Sequence, residues 1–159
     1  MTTSPMTVLV IEDGDEYLEN LSRFVLGPRY LQAHCGTEAV EIIQNDKVDL
    51  IYLDMRFDRI PHAQLLGDHD AVTREHNGDP VRAWKFLANN QGLYILSALK
   101  QAGFAHFPVV VAYDFSKEPR RFENLRRSYP NLMWVSDAVS FKEVETLFAE
   151  ITSRVSSAR

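Results

Sequence analysis

The chain has 159 residues, 45% hydrophobic and 25% charged, with a net charge of −5; that describes one compact domain over residues 1–159 with enough apolar chain to bury a core. The acidic balance gives no general pull toward nucleic acid, and no apolar run approaches the roughly 20 residues needed to span a bilayer, so neither nucleic acid nor membrane is an expected partner. The single cysteine, Cys35, excludes an internal disulfide and is expected of a reducing, cytoplasmic setting, and the short polar start Met1–Met6 does not read as a secretory leader.

Thr7-Val8-Leu9-Val10-Ile11 is a short β-branched run that ends in Glu12-Asp13-Gly14-Asp15-Glu16, the pattern of a buried strand running into an acidic loop. Tyr17, Leu18, Leu21, Phe24 and Val25 recur at helical spacing over Tyr17 to Leu26, and Gly27-Pro28 stops that helix. Tyr30 to His34 predicts a second strand. Thr37 is the expected N-cap of a helix over Glu38 to Asn45, with Ala39, Ile42 and Ile43 inward. Val48 to Leu53 predicts a third strand, ending in Asp54.

From Met55 to about Asn90 the alternation is lost, and only Ala63 to Leu66 and Pro80 to Leu87 suggest helix. A structureless stretch of that length is uncommon inside a compact domain, so residues 56–90 read as an insertion. Regular pattern resumes with a helix through Leu93, Ile95, Leu96 and Leu99, ended by Gly103. Pro108 to Tyr113 predicts a fourth strand, Glu118 to Ser128 a helix, Leu132 to Val135 a fifth strand. Phe141 to about Val155 predicts a last helix with Phe141, Val144, Leu147, Phe148 and Ile151 inward. Apolar strands alternating with amphipathic helices predict an α/β fold, a doubly wound five-stranded parallel sheet with the insertion between the third strand and the third helix.

In an open sheet of this kind the site lies at the carboxyl ends of the strands. Those ends carry Glu12 and Asp13, then Asp54, then Tyr113 and Asp114, then Ser136 and Asp137. Adjacent strands lie roughly 5 Å apart, so Glu12, Asp13 and Asp54 are expected to converge. Three carboxylates repel unless a cation neutralises them, and a hard, oxygen-liganded Mg²⁺ is the expected partner. A carboxylate beside such an ion is also suited to accept a phosphoryl group.

The segments Val8-Leu9-Val10-Ile11-Glu12-Asp13, Val48-Asp49-Leu50-Ile51-Tyr52-Leu53-Asp54-Met55 and Pro108-Val109-Val110-Val111 resemble the receiver domains of two-component response regulators, a flavodoxin-like fold. The resemblance covers nearly the whole chain except the insertion. It implies that Asp54 is the phosphoryl acceptor, that Glu12, Asp13 and Asp54 hold Mg²⁺, and that the backbone carbonyl of Arg56 adds a ligand. It also implies a histidine kinase or phosphotransfer protein as donor and a downstream protein as target. Two positions depart from the family: Tyr113 stands where a Ser or Thr would bond the phosphoryl group, and Asp137 stands where a Lys would pair with it, a change of sign at the site. Ser116 and Lys117 are the available substitutes.

The expected function is therefore an atypical receiver in a phosphorelay, not an enzyme, with output by protein contact and no output domain after the last helix. The alternative is a phosphorylation-independent pseudo-receiver acting as an interaction module. A Mg²⁺-dependent phosphohydrolase would need a second Asp two residues after Asp54, where Arg56 stands. The insertion begins directly after Asp54 and could cover the acidic pocket or supply a cation, Arg56 or Arg59. His62, His69 and His76 lie seven apart, which is no metal-ligand spacing, and a polar lid anchored by Trp84, Phe86 and Leu87 is expected. Arg120, Arg121, Arg126 and Arg127 make one helix basic, a solvated face or a contact for an acidic partner. A homodimer through the fourth and fifth strands and their helices would use the same side.

Overall fold

The five apolar runs form five strands: β1 (Thr7–Ile11), β2 (Arg29–Ala33), β3 (Leu50–Asp54), β4 (Val109–Ala112) and β5 (Leu132–Val135). The computed structural model describes residues 5–136 and 138–157. All pairings are parallel and the strand order is β2-β1-β3-β4-β5. β1, β3 and β4 are buried along almost their whole length. That explains their unbroken Val, Ile and Leu content, since helices must cover both faces.

The helices are α1 (Glu16–Phe24), α2 (Gly36–Asn45), α3 (His69–Glu75), α4 (Pro80–Asn89), α5 (Gln91–Gln101), α6 (Pro119–Ser128) and α7 (Phe141–Ser157). Side chains alternate across a strand, so each face of the sheet has its own core. Val8, Val10, Leu50, Tyr52, Val110 and Ala112 meet Leu21 of α1 and Val144, Phe148 and Ile151 of α7. Leu9, Ile11, Ile51, Leu53, Val109 and Val111 meet α2, α4 and α5 on the opposite face. Phe122 and Leu125 of α6 pack partly against that second core, although no residue of α6 is fully buried.

Element ends differ from the sequence reading in physically informative ways. Helix α1 stops at Phe24, with Val25 as its C-cap and Leu26 74% exposed, because the backbone must straighten ahead of Pro28. Gly27, at φ 113°, makes that turn. Helix α2 starts two residues early: Cys35 is extended and is the N-cap, and Thr37 lies inside the first turn. β3 begins at Leu50 rather than Val48 and includes Asp54 as its last residue. Asp49 instead accepts the Thr7 N–H through its side chain at 2.8 Å. Phe141 is 36% exposed and stacks on the half-exposed Phe24 rather than entering the core.

The stretch after Asp54 is more regular than its sequence suggests. It holds a 3₁₀ turn (His62–Gln64), α3 and α4, and α5 follows after Asn90 alone. Asp79 caps α4 by accepting the N–H groups of Val81 and Arg82, with Pro80 in the first turn. Phe57, Leu65, Val72, Ala83 and Leu87 are buried in the same core as Leu9 and Leu53. Of the expected anchors, Leu87 is buried, while Phe86 is 37% exposed and packs on His76. Trp84 is held between His62 and His69, with ring centroids 4.4 and 3.7 Å away. None of the described helices is long and apolar enough to cross a membrane.

Candidate functional site

The carboxyl ends of β1 and β3 bring the three expected carboxylates to one end of the sheet, but not to one point. Glu12 follows the even-numbered residues of β1, which face α1, and its side chain turns that way. One of its oxygens accepts the Tyr17 N–H at 3.0 Å. The other accepts the Leu18 N–H at 2.8 Å and the Gln32 amide at 3.3 Å. Asp15, the N-cap of α1, makes no capping bond, so Glu12 satisfies the free N–H groups of that helix. Glu12 is 1% exposed. Burial pushes its carboxyl above the usual range, and the bonds from Tyr17, Leu18 and Gln32 oppose that shift.

Asp13 leaves the strand on the other side. Its Oδ2 accepts the backbone N–H groups of Asp58 and Arg59 at 3.0 and 3.1 Å, and its Oδ1 faces Nη2 of Arg59 at 3.4 Å. The same guanidinium makes a two-pronged pair with Glu16, at 2.7 and 2.8 Å. That pair holds the Glu16 carboxyl down at about 2 and raises the Arg59 guanidinium. Asp54 closes β3. Burial pushes its carboxyl up to about 7, the charges of Asp13 and Glu12 push the same way, and the N–H groups of Met55 and Arg56 pull back. The Met55 bond is 2.8 Å long.

The groups expected from β4 are turned elsewhere. Asp54 stands in register with Ala112, which carries no polar side-chain atom. Tyr113 donates its hydroxyl to Glu118 at 2.6 Å, with Arg121 over its ring. Asp114 accepts the Ser116 N–H at 2.9 Å, and Ser116 and then Lys117 hold its carboxyl below the usual range. Asp137 lies outside the described residues.

Three residues that the motif does not mark shape this centre. Gly14 lies under the Arg59 guanidinium, where an added Cβ would stand 2.3 Å from Nη2 and 2.6 Å from Cζ. Gly92 opens α5 against the end of β3, where a Cβ would stand 2.8 Å from the Asp54 carbonyl oxygen. Gln91 is fully buried and clamps the segment after Asp54 by bonding both the N–H and the carbonyl of Leu66. Only the Asp-Gly and Gln-Gly pairs hint at them in the sequence; the close approaches they permit are tertiary.

In this arrangement Glu12 is turned to α1, away from a cation position shared with Asp13 and Asp54. Both oxygens of Glu12 and both of Asp13 already accept protein donors. Among the described residues, no three His, Cys, Asp or Glu side chains gather in a way that could hold a metal ion. The Arg56 carbonyl remains a ligand by resemblance alone.

The fold built by these strands has close counterparts. The receiver domain of a Francisella response regulator superposes with a TM-score of 0.63 at 16% identity, over 96% of this chain and 99% of that one. The chain has the receiver fold. The signal receiver domain of a putative Luxo repressor protein from Vibrio parahaemolyticus gives 0.65 at 13% identity, over 98% and 95%. A response regulator receiver domain from Clostridium thermocellum gives 0.63 at 14%, over 97% and 99%. No family model and no curated protein matches the sequence.

Proposed function

We propose that the chain is a signalling module on the receiver fold that acts by contact with another protein, does not turn over a substrate, and works without phosphoryl transfer to Asp54. The observation that carries this reading is the occupation of Asp13. Its carboxylate already holds two backbone N–H groups and a guanidinium. A metal that took Oδ2 would displace the Asp58 and Arg59 N–H groups, and one that took Oδ1 would displace the Arg59 guanidinium. Glu12 is committed to α1 in the same way. The hydroxyl that would hold a phosphoryl group is missing beside Asp54, where Tyr113 turns to Glu118.

One observation favours the second reading, in which Asp54 accepts a phosphoryl group from a histidine kinase or phosphotransfer protein with Mg²⁺. Asp54 is a half-buried carboxylate at the end of a central strand with its pKa raised to about 7, and perturbed groups in such places are often functional. On either reading the exposed Arg120, Arg126 and Arg127 of α6 offer a basic face to an acidic protein partner or to a second copy.

Amide NMR with Mg²⁺, then with Mg²⁺ and beryllofluoride, on the wild type and on Asp54→Asn decides between them. The proposed reading expects no shifts from the phosphate mimic at Val109–Ala112 or Leu132–Val135. Shifts spreading to those strands in the wild type and absent in Asp54→Asn would overturn it in favour of the acceptor reading.

A further inference from the structure

Arg59 meets the acidic loop by two routes at once. Its main-chain N–H binds Oδ2 of Asp13 at 3.1 Å, and its guanidinium reaches Oδ1 of the same residue while forming the two-pronged pair with Glu16. An ordinary surface ion pair contributes little, since water solvates both ends. Two features set this one apart. The Asp13 side chain is only 2% exposed beneath the guanidinium, while Arg59 itself is 51% exposed. And the guanidinium lies against Gly14: a β-carbon there would stand 2.3 Å from Nη2 and 2.6 Å from Cζ, so the Arg59 side chain would have to shift. The main chain is fixed on the far side as well, because Phe57 is fully buried and its N–H binds the Ala88 carbonyl at 2.8 Å. The loop after β3 thus delivers a permanent positive charge to one spot over the carboxyl end of β1.

We infer that Arg59 is the resident cation of the acidic centre, a tethered guanidinium seated on Gly14 between Asp13 and Glu16 that takes the place a divalent ion would otherwise fill. The inference deepens the reading that the centre works without metal, and it specifies the group responsible. The carboxylates of Asp13 and Glu16 are held against one guanidinium because the counter-charge is part of the chain. Removing that charge recreates the demand for an external one, and a hard dication is the small ion suited to oxygen ligands.

The test is a titration with Mg²⁺ alone, by calorimetry and by thermal unfolding, on the wild type, Arg59→Gln and Arg59→Lys, with Mn²⁺ broadening of the amides of residues 12–16 and 54–59 to locate the ion. Arg59→Gln is expected to bind the dication about tenfold more tightly than wild type or better, and to melt lower than wild type in chelator with the loss recovered by Mg²⁺. Arg59→Lys, which keeps the charge, is expected to stay close to wild type. Equal affinity in wild type and Arg59→Gln would overturn the inference, as would a Lys variant that binds like the Gln variant. Should Arg59→Gln fail to fold, the guanidinium resonances of wild-type Arg59 give the answer. Restricted rotation that millimolar Mg²⁺ leaves unchanged supports the inference; free rotation, or release by Mg²⁺, overturns it. No phosphate mimic enters this test, so its failure is separable from failure of the proposed function, which is read at β4 and β5.

Discussion

Burial is the main influence on the Asp54 carboxyl, and it works against the charged form. Its folded pKa of about 7 lies above the ordinary value of 3.8. Between those values the folded chain keeps a proton that the unfolded chain has released, so stability falls as pH rises from about 4 to about 7 and is level beyond. Asn at this position keeps an oxygen for the Met55 N–H and carries no charge. Asp54→Asn is therefore expected to be more stable than wild type by on the order of 1–3 kcal/mol at about pH 8 in chelator, with the difference vanishing near pH 4. Urea unfolding at both ends of that range checks it, and a constant difference would show that charge burial is not the cause. Glu16 contributes the opposite dependence, since its folded value of about 2 favours the folded state above pH 4.5, but that contribution is common to both proteins and cancels. At this scale the sequence marked the acids and not their directions. Glu12 and Asp13 are neighbours at a strand end, and successive residues of an extended chain point to opposite sides. One therefore caps α1 and the other meets the loop after β3, where a motif read as letters suggests a single cluster.

Elements were legible where burial imposes a period. The runs 7–11, 108–113 and 132–135 match their strands within a residue because apolar chain buried on both faces can form little else. Between Asp54 and α5, α4 was legible at Pro80 to Leu87 but α3 was not, since a short helix that buries only Val72 leaves almost no apolar stripe to read. Nor does a sequence show how near two elements come. Gly92 lets the first turn of α5 pack against the main chain of Asp54 and Met55, and its N–H binds the Met55 carbonyl at 2.9 Å. Replacing it by Ala sets two effects against each other. Helix propensity favours Ala by about 1 kcal/mol. The new methyl would stand 2.8 Å from the Asp54 carbonyl oxygen and 3.0 Å from the Met55 Cα, main-chain atoms that cannot rotate away, and overpacking of that kind typically costs about 1–3 kcal/mol. The overlap wins because both neighbours are backbone of a central strand. Gly92→Ala should lower the urea midpoint and shift the amide resonances of residues 54 and 55, and a variant as stable as wild type would mean that α5 stands further from β3 than described.

Across the whole molecule, the expected insertion is part of the domain rather than an appendage to it. Phe57, Leu65, Val72, Ala83 and Leu87 share one core with Leu9, Ile11 and Leu53 of the central strands. Burying a side chain the size of Val, Leu or Phe contributes about 1.5–3 kcal/mol, so Phe57, Leu65, Val72 and Leu87 together far exceed what a loosely attached lid would gain. Gln91 adds a polar clamp on Leu66 from the helix that follows. A segment bound in this way should not unfold ahead of the sheet. The two tryptophans allow a direct check, because Trp84 lies in this segment and Trp134 in β5. In Trp134→Phe the fluorescence reports on Trp84 alone, stacked between His62 and His69. Its urea transition is expected to coincide with the loss of far-ultraviolet dichroism, in midpoint and in slope. An earlier fluorescence transition would mean that residues 57–90 open as a separate unit and that the contacts at Phe57 and Leu87 contribute less than their burial implies. Coincidence would tie Arg59 to global stability as well, since the loop that carries it could then leave Asp13 only when the sheet itself unfolds.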